Sequence, residues 1–474
     1  MSRPLVTAAV LLALVLGSCS SPSAPSHHWL VDAQGRPYYL ARIPRTQAQR
    51  RPDGSVVTDV GIPLVIARQD SKYFYYKVFD SSRLAEPTSS SAPVDVSASY
   101  HVTTKTSTRL RFFRLGSGLP GTGQWRNTFD VHDMNGDGIP DIVTTSPRKE
   151  PGPPRIYLGD RHGKFHRWAD ASFPVLRYDY GAAVAGDLNG DGHADIVLGM
   201  HLLGVTALLG DGHGHFTTDT NGLDAPPSSF SSQALAITDW NGDGEPDVVA
   251  VGEGPSPTGG FGSEGLVVYL NDGHGNFVRH AGSSDTFSDA IATTSTEVVT
   301  GSSVLSDNEI LFGHDGSRSA LAIRPRAYVF SVATGDLDGD GRTDIAVGYV
   351  SFEGDARTGI DVFLRRAHGF TRRTLAVASG TTSITSLATG DLDGDGHTDL
   401  VALTGHGDTV VFLGDGHGSL TRERRQIPRF SGSCQGAHVA LADVNGDHRD
   451  DIVESFADDD CSRGGGFEVW SAKR

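Results

Sequence analysis

The sequence predicts an all-β fold, namely a seven-bladed β-propeller of four-stranded antiparallel blades preceded by a small N-terminal β module. Two observations are periodic: a nine-residue acidic motif recurs at multiples of about 50 residues, and short β-rich runs follow each copy. The third is compositional, because 59 of the 474 residues are glycine and only three are methionine. Many short strands joined by glycine turns are typical of propeller blades, and this composition disfavours a helical bundle.

The charge balance favours cations as partners. The chain carries 57 acidic and 40 basic residues, a formal net charge of −17. A surface of that sign repels phosphate backbones, so nucleic-acid binding is not expected.

The first residues of the chain are typical of an export signal. The apolar run from Leu5 to Leu16 follows Arg3 and is too short to span a bilayer, which is typical of a secretory signal over residues 1–18. It ends in Leu-Gly-Ser-Cys and resembles a bacterial lipoprotein processing site, with Cys19 as the lipidated residue. We therefore expect a lipid-anchored protein of the cell envelope, periplasmic or at the cell surface, whose only membrane contact is Cys19. An ordinary cleaved signal is the alternative.

Three segments separate the signal from the repeats. Residues 19–28 form a tether, and residues 29–80 form a small β module with strands Pro63–Arg68 and Tyr73–Phe79 about a polar turn. Residues 81–108, rich in Ser, Pro and Ala at their start, are assigned to a linker before the propeller at 109–474.

The motif has oxygen-bearing side chains at positions 1, 3, 5 and 9, and position 7 would supply a backbone carbonyl. Six to eight hard oxygens at about 2.3–2.6 Å suit Ca²⁺, so we expect about six structural calcium sites. The predicted ligands are Asp133, Asn135, Asp137, Ile139 and Asp141; Asp187, Asn189, Asp191, His193 and Asp195; Asp239, Asn241, Asp243, Glu245 and Asp247; Asp336, Asp338, Asp340, Arg342 and Asp344; Asp391, Asp393, Asp395, His397 and Asp399; and Asp443, Asn445, Asp447, Arg449 and Asp451. An ordinary Asp/Gly turn would explain one copy, but six copies favour metal.

One copy departs from the pattern. Glycine occupies position 6 in the first five copies, whereas His448 occupies it in the last. A β-carbon disfavours the positive φ expected there, so the last loop is the weakest of the set.

The spacing of the copies fixes the number of repeats. The intervals between motif starts are 54, 52, 97, 55 and 52 residues, so the long interval holds two repeats. The run from Ala290 to Val299 resembles the two strands that flank the acidic loop in other repeats, joined directly with the loop deleted. Counting this run as a repeat makes seven units. The last unit lacks a fourth strand, and Arg109–Leu115 is expected to supply it and close the ring.

The recurring acidic motifs resemble those of the FG-GAP and VCBS repeat family, which includes the integrin α-subunit propeller, bacterial surface proteins and some fungal lectins. The resemblance covers 109–474 and rests on the Asp-x-Asn/Asp-x-Asp-Gly-x-x-Asp loop. It implies the propeller fold. It does not imply one function, because such propellers serve adhesion, ligand binding and, in some branches, polysaccharide cleavage.

Function is expected on the rim opposite the metal loops, where the longer loops lie. We expect a protein or glycan to bind there without catalysis, and the candidate aromatic contacts are Trp168, Tyr178, Tyr180, Phe261, Tyr349 and Phe352. The alternative is a calcium-dependent, lyase-like polysaccharide-processing enzyme, and a purely structural envelope component is a third possibility. No hydrolase, zincin or phosphate-loop motif is present. The sequence does not indicate the oligomeric state.

Two cysteines remain once Cys19 is assigned to the lipid. In an oxidising compartment, Cys434 and Cys461 are expected to form a disulfide, and two unpaired thiols are the alternative.

Overall fold

The structure is a computed structural model, and it describes only part of the chain. It describes residues 30–31, 37–50, 56–58, 63–64, 66–79, 92–93, 96–101, 106–107, 109–126, 128–218, 220–223, 231–255, 261–280, 290–294, 297–301, 309–313, 319–322, 327–351, 357–377, 383–430, 434–457 and 465–474. The chain divides into two compact units, 1–88 with 255–262 and 89–254 with 263–474.

The first unit contains two small sheets. Its strands are β1 (Leu30–Val31), β2 (Pro37–Pro44), β3 (Ala48–Arg50), β4 (Val56–Thr58), β5 (Pro63–Leu64), β6 (Ile66–Gln69) and β7 (Tyr73–Phe79), with a 3₁₀ turn at Arg45–Gln47. The sheet orders are β1-β2-β7-β6 and β3-β4-β5. β6 pairs antiparallel with β7, and Asp70 accepts hydrogen bonds from the N–H groups of Lys72 and Tyr73 in the turn between them. The predicted strand Pro63–Arg68 is instead divided between β5, which pairs with β4, and β6.

The second unit is a β-propeller of four-stranded antiparallel blades, which confirms the predicted propeller fold and the predicted type of blade. It opens with β8 (Ala92–Pro93), β9 (Val96–His101), β10 (Thr106–Ser107) and β11 (Arg111–Leu115). The blade strands follow as β12 (Asp130–His132), β13 (Asp141–Thr144), β14 (Arg155–Gly159), β15 (Phe165–Arg167); β16 (Gly181–Gly186), β17 (Asp195–Met200), β18 (Gly204–Gly210), β19 (Phe216–Thr217); β20 (Ser231–Thr238), β21 (Asp247–Pro255), β22 (Phe261–Asn271), β23 (Phe277–His280); β24 (Ala290–Thr293), β25 (Val298–Gly301), β26 (Glu309–Gly313), β27 (Ser319–Ala322); β28 (Ala327–Gly335), β29 (Asp344–Ser351), β30 (Arg357–Arg365), β31 (Phe370–Leu375); β32 (Ile384–Gly390), β33 (Asp399–Thr404), β34 (Thr409–Gly414), β35 (Leu420–Glu423); and β36 (Gln435–Ala442), β37 (Asp451–Ala457), β38 (Gly466–Lys473).

Each blade that has an acidic loop is named below by the first residue of that loop, and the strands of a blade are lettered A to D in chain order. In the Asp187 blade, β16 to β19 pair in sequence, and the acidic loop joins strand A to strand B. Strand B is buried along its whole length in this blade because neighbouring blades cover both of its faces. Ala182 and Val197 of this blade, for example, share one core cluster with Leu235 and Val248 of the next.

The blade without an acidic loop has the predicted form. β24 pairs with β25 from Ala290↔Gly301 to Thr293↔Val298. Only four residues, 294–297, connect these strands in place of the nine-residue loop, and the N–H of Thr294 donates to the carbonyl of Glu297 at 2.9 Å.

The Asp443 blade closes the ring with a strand from the other end of the propeller. β11 pairs antiparallel with β38 from Arg111↔Lys473 to Leu115↔Val469, which confirms the predicted exchange. Glu423 (4% exposed) fixes the start of this strand, because its carboxylate accepts the N–H groups of Arg109 and Leu110 at 2.7 and 3.1 Å. Non-local pairing of this kind leaves strand C of the last blade without an open edge.

The stretch assigned to the linker also contains strands. β8, β9 and β10 pair in parallel with β27, β31 and β35, the outermost strands of three successive blades. Each adds a fifth strand and covers an outer edge that would otherwise expose unpaired backbone groups.

Candidate functional site

The acidic loops begin with an aspartate whose carboxylate organises the backbone. Asp187 Oδ1 accepts the N–H groups of Gly190 and Asp191 at 2.8 and 3.2 Å, and Oδ2 accepts that of Gly192 at 2.8 Å. The first aspartates of the other loops repeat this pattern, with all three bonds at Asp133, Asp239, Asp391 and Asp443 and the last two at Asp336. Three N–H groups directed at one carboxylate hold the chain in a tight coil.

Glycine at position 6 is explained by the backbone of this coil. Gly192 has φ of +83° and the corresponding Gly396 has +80°, and His448 adopts the same conformation at +62°. The left-handed conformation is favourable for glycine and strained for a side chain that has a β-carbon. The expected weakness of the last loop therefore has a physical basis at His448.

The third and fifth positions bring polar oxygens together. Asn189 Oδ1 accepts the N–H of Asp191 at 3.1 Å, and Asn189 Nδ2 donates to Asp191 Oδ2 at 3.0 Å. Asp191 Oδ1 also accepts the N–H of His193, the position-7 residue, at 2.9 Å. The side chains at positions 1, 3 and 5 thus lie on the inside of one turn.

The ninth aspartate anchors the loop to the blade. Asp195 is fully buried, and its two oxygens accept the N–H groups of Leu188 and Gly210, each at 2.8 Å. Gly210 ends strand C, so this carboxylate ties the loop to a second strand. Burial, with a smaller contribution from the neighbouring loop carboxylates, raises the pKa of Asp195 to about 6. The equivalent pKa values rise to about 7 at Asp141, Asp344, Asp399 and Asp451.

Two loops collect three carboxylates each. One oxygen from each of Asp391, Asp393 and Asp395 lies within 4.8 Å of the others, and Asp336, Asp338 and Asp340 form the same arrangement. Oxygens on opposite sides of a Ca²⁺ ion are about 5 Å apart, since each bond is about 2.3–2.6 Å. The spacing and the hard oxygen donors are those of a group that could hold a metal ion.

Arginine side chains reach into these two clusters. Arg474 donates to both oxygens of Asp393 at 2.8 Å and to Asp395 at 2.6 Å. Arg366 forms an ion pair with Asp338 in the other cluster. Both contacts offset the mutual repulsion of the carboxylates.

Histidines recur in the C–D hairpins of several blades. The N–H of His213 donates to Asp211 Oδ1 at 2.8 Å in the C–D hairpin of its blade, and His162, His274 and His417 make the equivalent bond. Each belongs to a different blade, and they do not form a common metal site.

On the opposite rim, the residues expected to contact a ligand differ in exposure. Trp168 is partly buried against the core cluster of its blade, and Tyr178 donates its O–H to the carbonyl of Pro174 at 2.8 Å. The prediction for Tyr349 is wrong. Its side chain is 4% exposed and belongs to a core cluster, because β29 continues through it to Ser351 and turns the ring inward. Phe261 is the first residue of β22, and Phe352 lies outside the described residues.

Tyr180 is part of a polar cluster that the sequence did not reveal. Its ring stacks on His201 at 4.9 Å, and the Arg148 guanidinium lies 5.6 Å from the ring centroid. Asp179 Oδ2 lies 3.6 Å from His201 Nδ1, and burial lowers the pKa of His201. Gly181 pairs with Met200, so the residue before strand A faces the residue after strand B. A prediction of this strand pairing from the sequence would have placed His201 next to Tyr180.

Comparison with known proteins agrees with this geometry. Residues 133–198, 336–402 and 391–454 match the family profile of the FG-GAP-like repeat. The chain carries FG-GAP-like repeats. Each matched stretch of these FG-GAP-like repeats contains at least one of the acidic loops described above.

No curated protein matches the chain in sequence. Among solved structures, the crystal structure of BBS1N in complex with ARL6DN, soaked with mercury, is similar with a TM-score of 0.49 and 11% identity. The match covers 76% of this FG-GAP-repeat chain and 97% of that one. At this level the likeness assigns no function.

A membrane-crossing helix is not found in the described ranges, where no helix combines sufficient length with sufficient hydrophobicity.

Proposed function

We propose that this protein is an exported, calcium-stabilised FG-GAP propeller that binds a protein or glycan at the cell envelope and catalyses no reaction. The observation that supports the proposal is that the two rims of the propeller are formed by different connections between strands. The acidic loops all join strand A to strand B and lie on one rim, whereas the B–C and D–A connections lie on the other. Calcium would hold the first rim rigid and leave the second free to vary.

Two details of the architecture belong to the same proposal. The ring has seven blades, with support from the roughly 50-residue period, the blade without a metal loop and the exchange of β11. Cys19 carries the lipid anchor. Cys19 and the signal both lie outside the described residues.

Binding by the calcium-loaded protein tests the proposal. The protein is applied to a glycan array and used to capture envelope proteins, each with a chelator-treated sample in parallel. We expect retention of a defined ligand that chelation abolishes. No ligand in either format would contradict the proposal.

A second candidate function is supported by the polar cluster around Tyr180. A lyase needs a base and a cation that neutralises a uronate carboxylate. His201, whose pKa is lowered by burial, is the corresponding base, and Arg148 is the corresponding cation. Absorbance of unsaturated products from a panel of uronate polysaccharides tests this candidate. Activity that His201→Ala abolishes would favour the enzyme over the binding protein.

A further inference from the structure

Two of the acidic loops are bound by arginine side chains that lie outside the loop. Arg474 follows strand C of the Asp443 blade and bonds to the Asp391 loop of the neighbouring blade, and Arg366 bonds to the Asp336 loop. We infer that these arginines compete with calcium for the loop carboxylates, so that calcium in the Asp391 loop and the Arg474 contact exclude each other. The inference rests on the calcium binding in the proposed function and concerns what regulates it.

One guanidinium nitrogen of Arg474 lies among the carboxylate oxygens as a bound cation would. Its Nη2 is 2.8 Å from both oxygens of Asp393 and 2.6 Å from Asp395 Oδ2. This nitrogen carries two N–H groups, so it cannot direct a separate N–H at each of three oxygens. Calcium binds carboxylate oxygens at about 2.3–2.6 Å. A calcium ion bound to the same oxygens would overlap with this nitrogen.

The carboxylates at position 3 of these two loops are buried and are only partly satisfied by arginine. The side chain of Asp393 is 1% exposed, and that of Asp338, at the same position of the Asp336 loop, is 8% exposed. Arg366 binds Asp338 Oδ2, whereas the buried Oδ1 has no hydrogen-bond partner among the described residues. A buried carboxylate oxygen without a donor is unfavourable. This hard oxygen donor fits calcium as its missing partner.

Position 3 determines whether the stabilising donor comes from inside or outside the loop. In the Asp187 loop, Asn189 Nδ2 donates to the carboxylate at position 5 at 3.0 Å. In the Asp391 loop, where position 3 is aspartate, Arg474 makes the equivalent bond to Asp395. The positive charge of Arg474 also balances the additional carboxylate at position 3. The donor in the Asp391 loop is therefore a cation of another blade, which calcium can replace.

Two other charged side chains lie beside the Asp391 loop and do not bind its carboxylates. The stem of Arg449 lies against the backbone of this loop, but its guanidinium donates to Asp447 of its own loop at 2.5 Å. Asp450 accepts the backbone N–H of Asp391 at 2.9 Å. Within the part of the chain that the structure describes, Arg474 is therefore the basic side chain that competes for this loop.

Arg474 links calcium binding to the blade that closes the ring. It follows β38, whose partner β11 is the closing strand, and the preceding Lys473 pairs with Arg111. Without calcium, the contact with Asp393 fixes the end of β38 to the neighbouring blade. Calcium replaces this contact, and the apparent calcium affinity of the loop is lowered by the fraction of molecules in which Arg474 holds the carboxylates.

Thermal melting with and without calcium tests whether the two contacts exclude each other. Arg474→Gln removes the charge, and Lys473→Gln is the matched control because Lys473 lies 5.6 Å from the centroid of the Phe113 ring instead. We expect Arg474→Gln to melt below the wild type in chelator and together with it at saturating calcium. The control should differ from the wild type equally in both conditions. Equal destabilisation by Arg474→Gln in both conditions, or none in chelator, would overturn the inference.

Calcium titration calorimetry measures the competition itself. Arg474→Gln should raise the calcium affinity of one site about threefold, and it should have no such effect in an Asp393→Asn background, where the carboxylate that Arg474 binds is gone. An equal increase in Lys473→Gln would overturn the inference, because net charge alone would explain it. If Arg474→Gln binds calcium as the wild type does, the inference fails and the calcium binding in the proposed function stands. If the wild type binds no calcium, both fail.

Discussion

A buried carboxyl group between two blades makes the stability of the propeller depend on pH. Glu454 is 1% exposed beside the core cluster that contains Val439 and Trp470, and it accepts a hydrogen bond from Thr409 of the adjacent blade. Its cross-strand neighbour is Glu468, which is 7% exposed. Burial, together with the charge of Glu468, raises the pKa of Glu454 to about 8.

The sign of the pH effect follows from proton linkage. The pKa of Glu454 is raised from its ordinary value of 4.5 to about 8 in the native protein, so the native state holds the proton across this window and the unfolded state does not. Its contribution to the free energy of unfolding is therefore fully present below about pH 4.5 and decreases as pH rises to about 8. A span of about 3.5 pH units at 1.36 kcal/mol each corresponds to roughly 5 kcal/mol. Arg114, 3.0 Å from Glu468, is the compensating cation on this face.

The substitution Glu454→Gln removes the ionisation and preserves the size of the side chain. We expect the variant and the wild type to be similar near pH 4.5 and the variant to be more stable at pH 8.5 by a few kcal/mol. Urea denaturation at saturating calcium, at both pH values, measures the difference. Glu150→Gln is the control, because this side chain is exposed. The reasoning is refuted if Glu454→Gln keeps the pH slope of the wild type or is less stable at pH 8.5.

Three further predictions concern the closing strand, the strained loop and the cysteines. Glu423→Ala leaves two N–H groups at the start of the closing strand without their acceptor, so it should lower the free energy of unfolding by about 2–4 kcal/mol in urea denaturation. Glu423→Gln keeps one side-chain oxygen and should recover part of that loss. Equal losses in the two variants would contradict the role of the carboxyl oxygens. His448→Gly should raise the free energy of unfolding by about 1 kcal/mol because it relieves the strain of a left-handed backbone, and Gly192→Ala should lower it by about 1 kcal/mol because it introduces that strain. Thermal melting measures both variants. Unchanged melting temperatures in both would contradict this explanation. Cys434 is buried, and Cys461 lies outside the described residues. Their predicted disulfide would contribute about 3 kcal/mol to the free energy of unfolding. If the bond is present, thiol titration of the unfolded chain should find neither sulfur free, whereas two titratable thiols would exclude it.

The sequence predicted the features that short-range chemistry determines. Every copy of the acidic motif forms the same loop as the one at Asp187, because carboxylates at alternate positions surround a residue, usually glycine, in the left-handed conformation. The hydrogen bonds of these loops could therefore be predicted without a structure. The exchange of β11 was predictable for a different reason, because a blade that lacks a strand leaves an edge that another segment must cover.

Features that depend on neighbouring blades could not be predicted in the same way. The sequence predicts Tyr349 at the rim, but the length of β29 depends on pairing with β28 and β30 rather than on local sequence. The parallel additions of β8 and β10 involve only two residues each, too few to give a strand signal, whereas β9 lies in an alternating run from Val94 to Val102 that the linker assignment overlooked. The Glu454 and Glu468 pair becomes visible only when strand register is known.

Metal analysis of the folded protein tests the central claim most directly. After purification in calcium, removal of free metal and confirmation of folding, we expect about six calcium ions per chain and a lower melting temperature after chelation. Fewer than about five ions per chain, or a melting curve that the chelator leaves unchanged, would contradict the account.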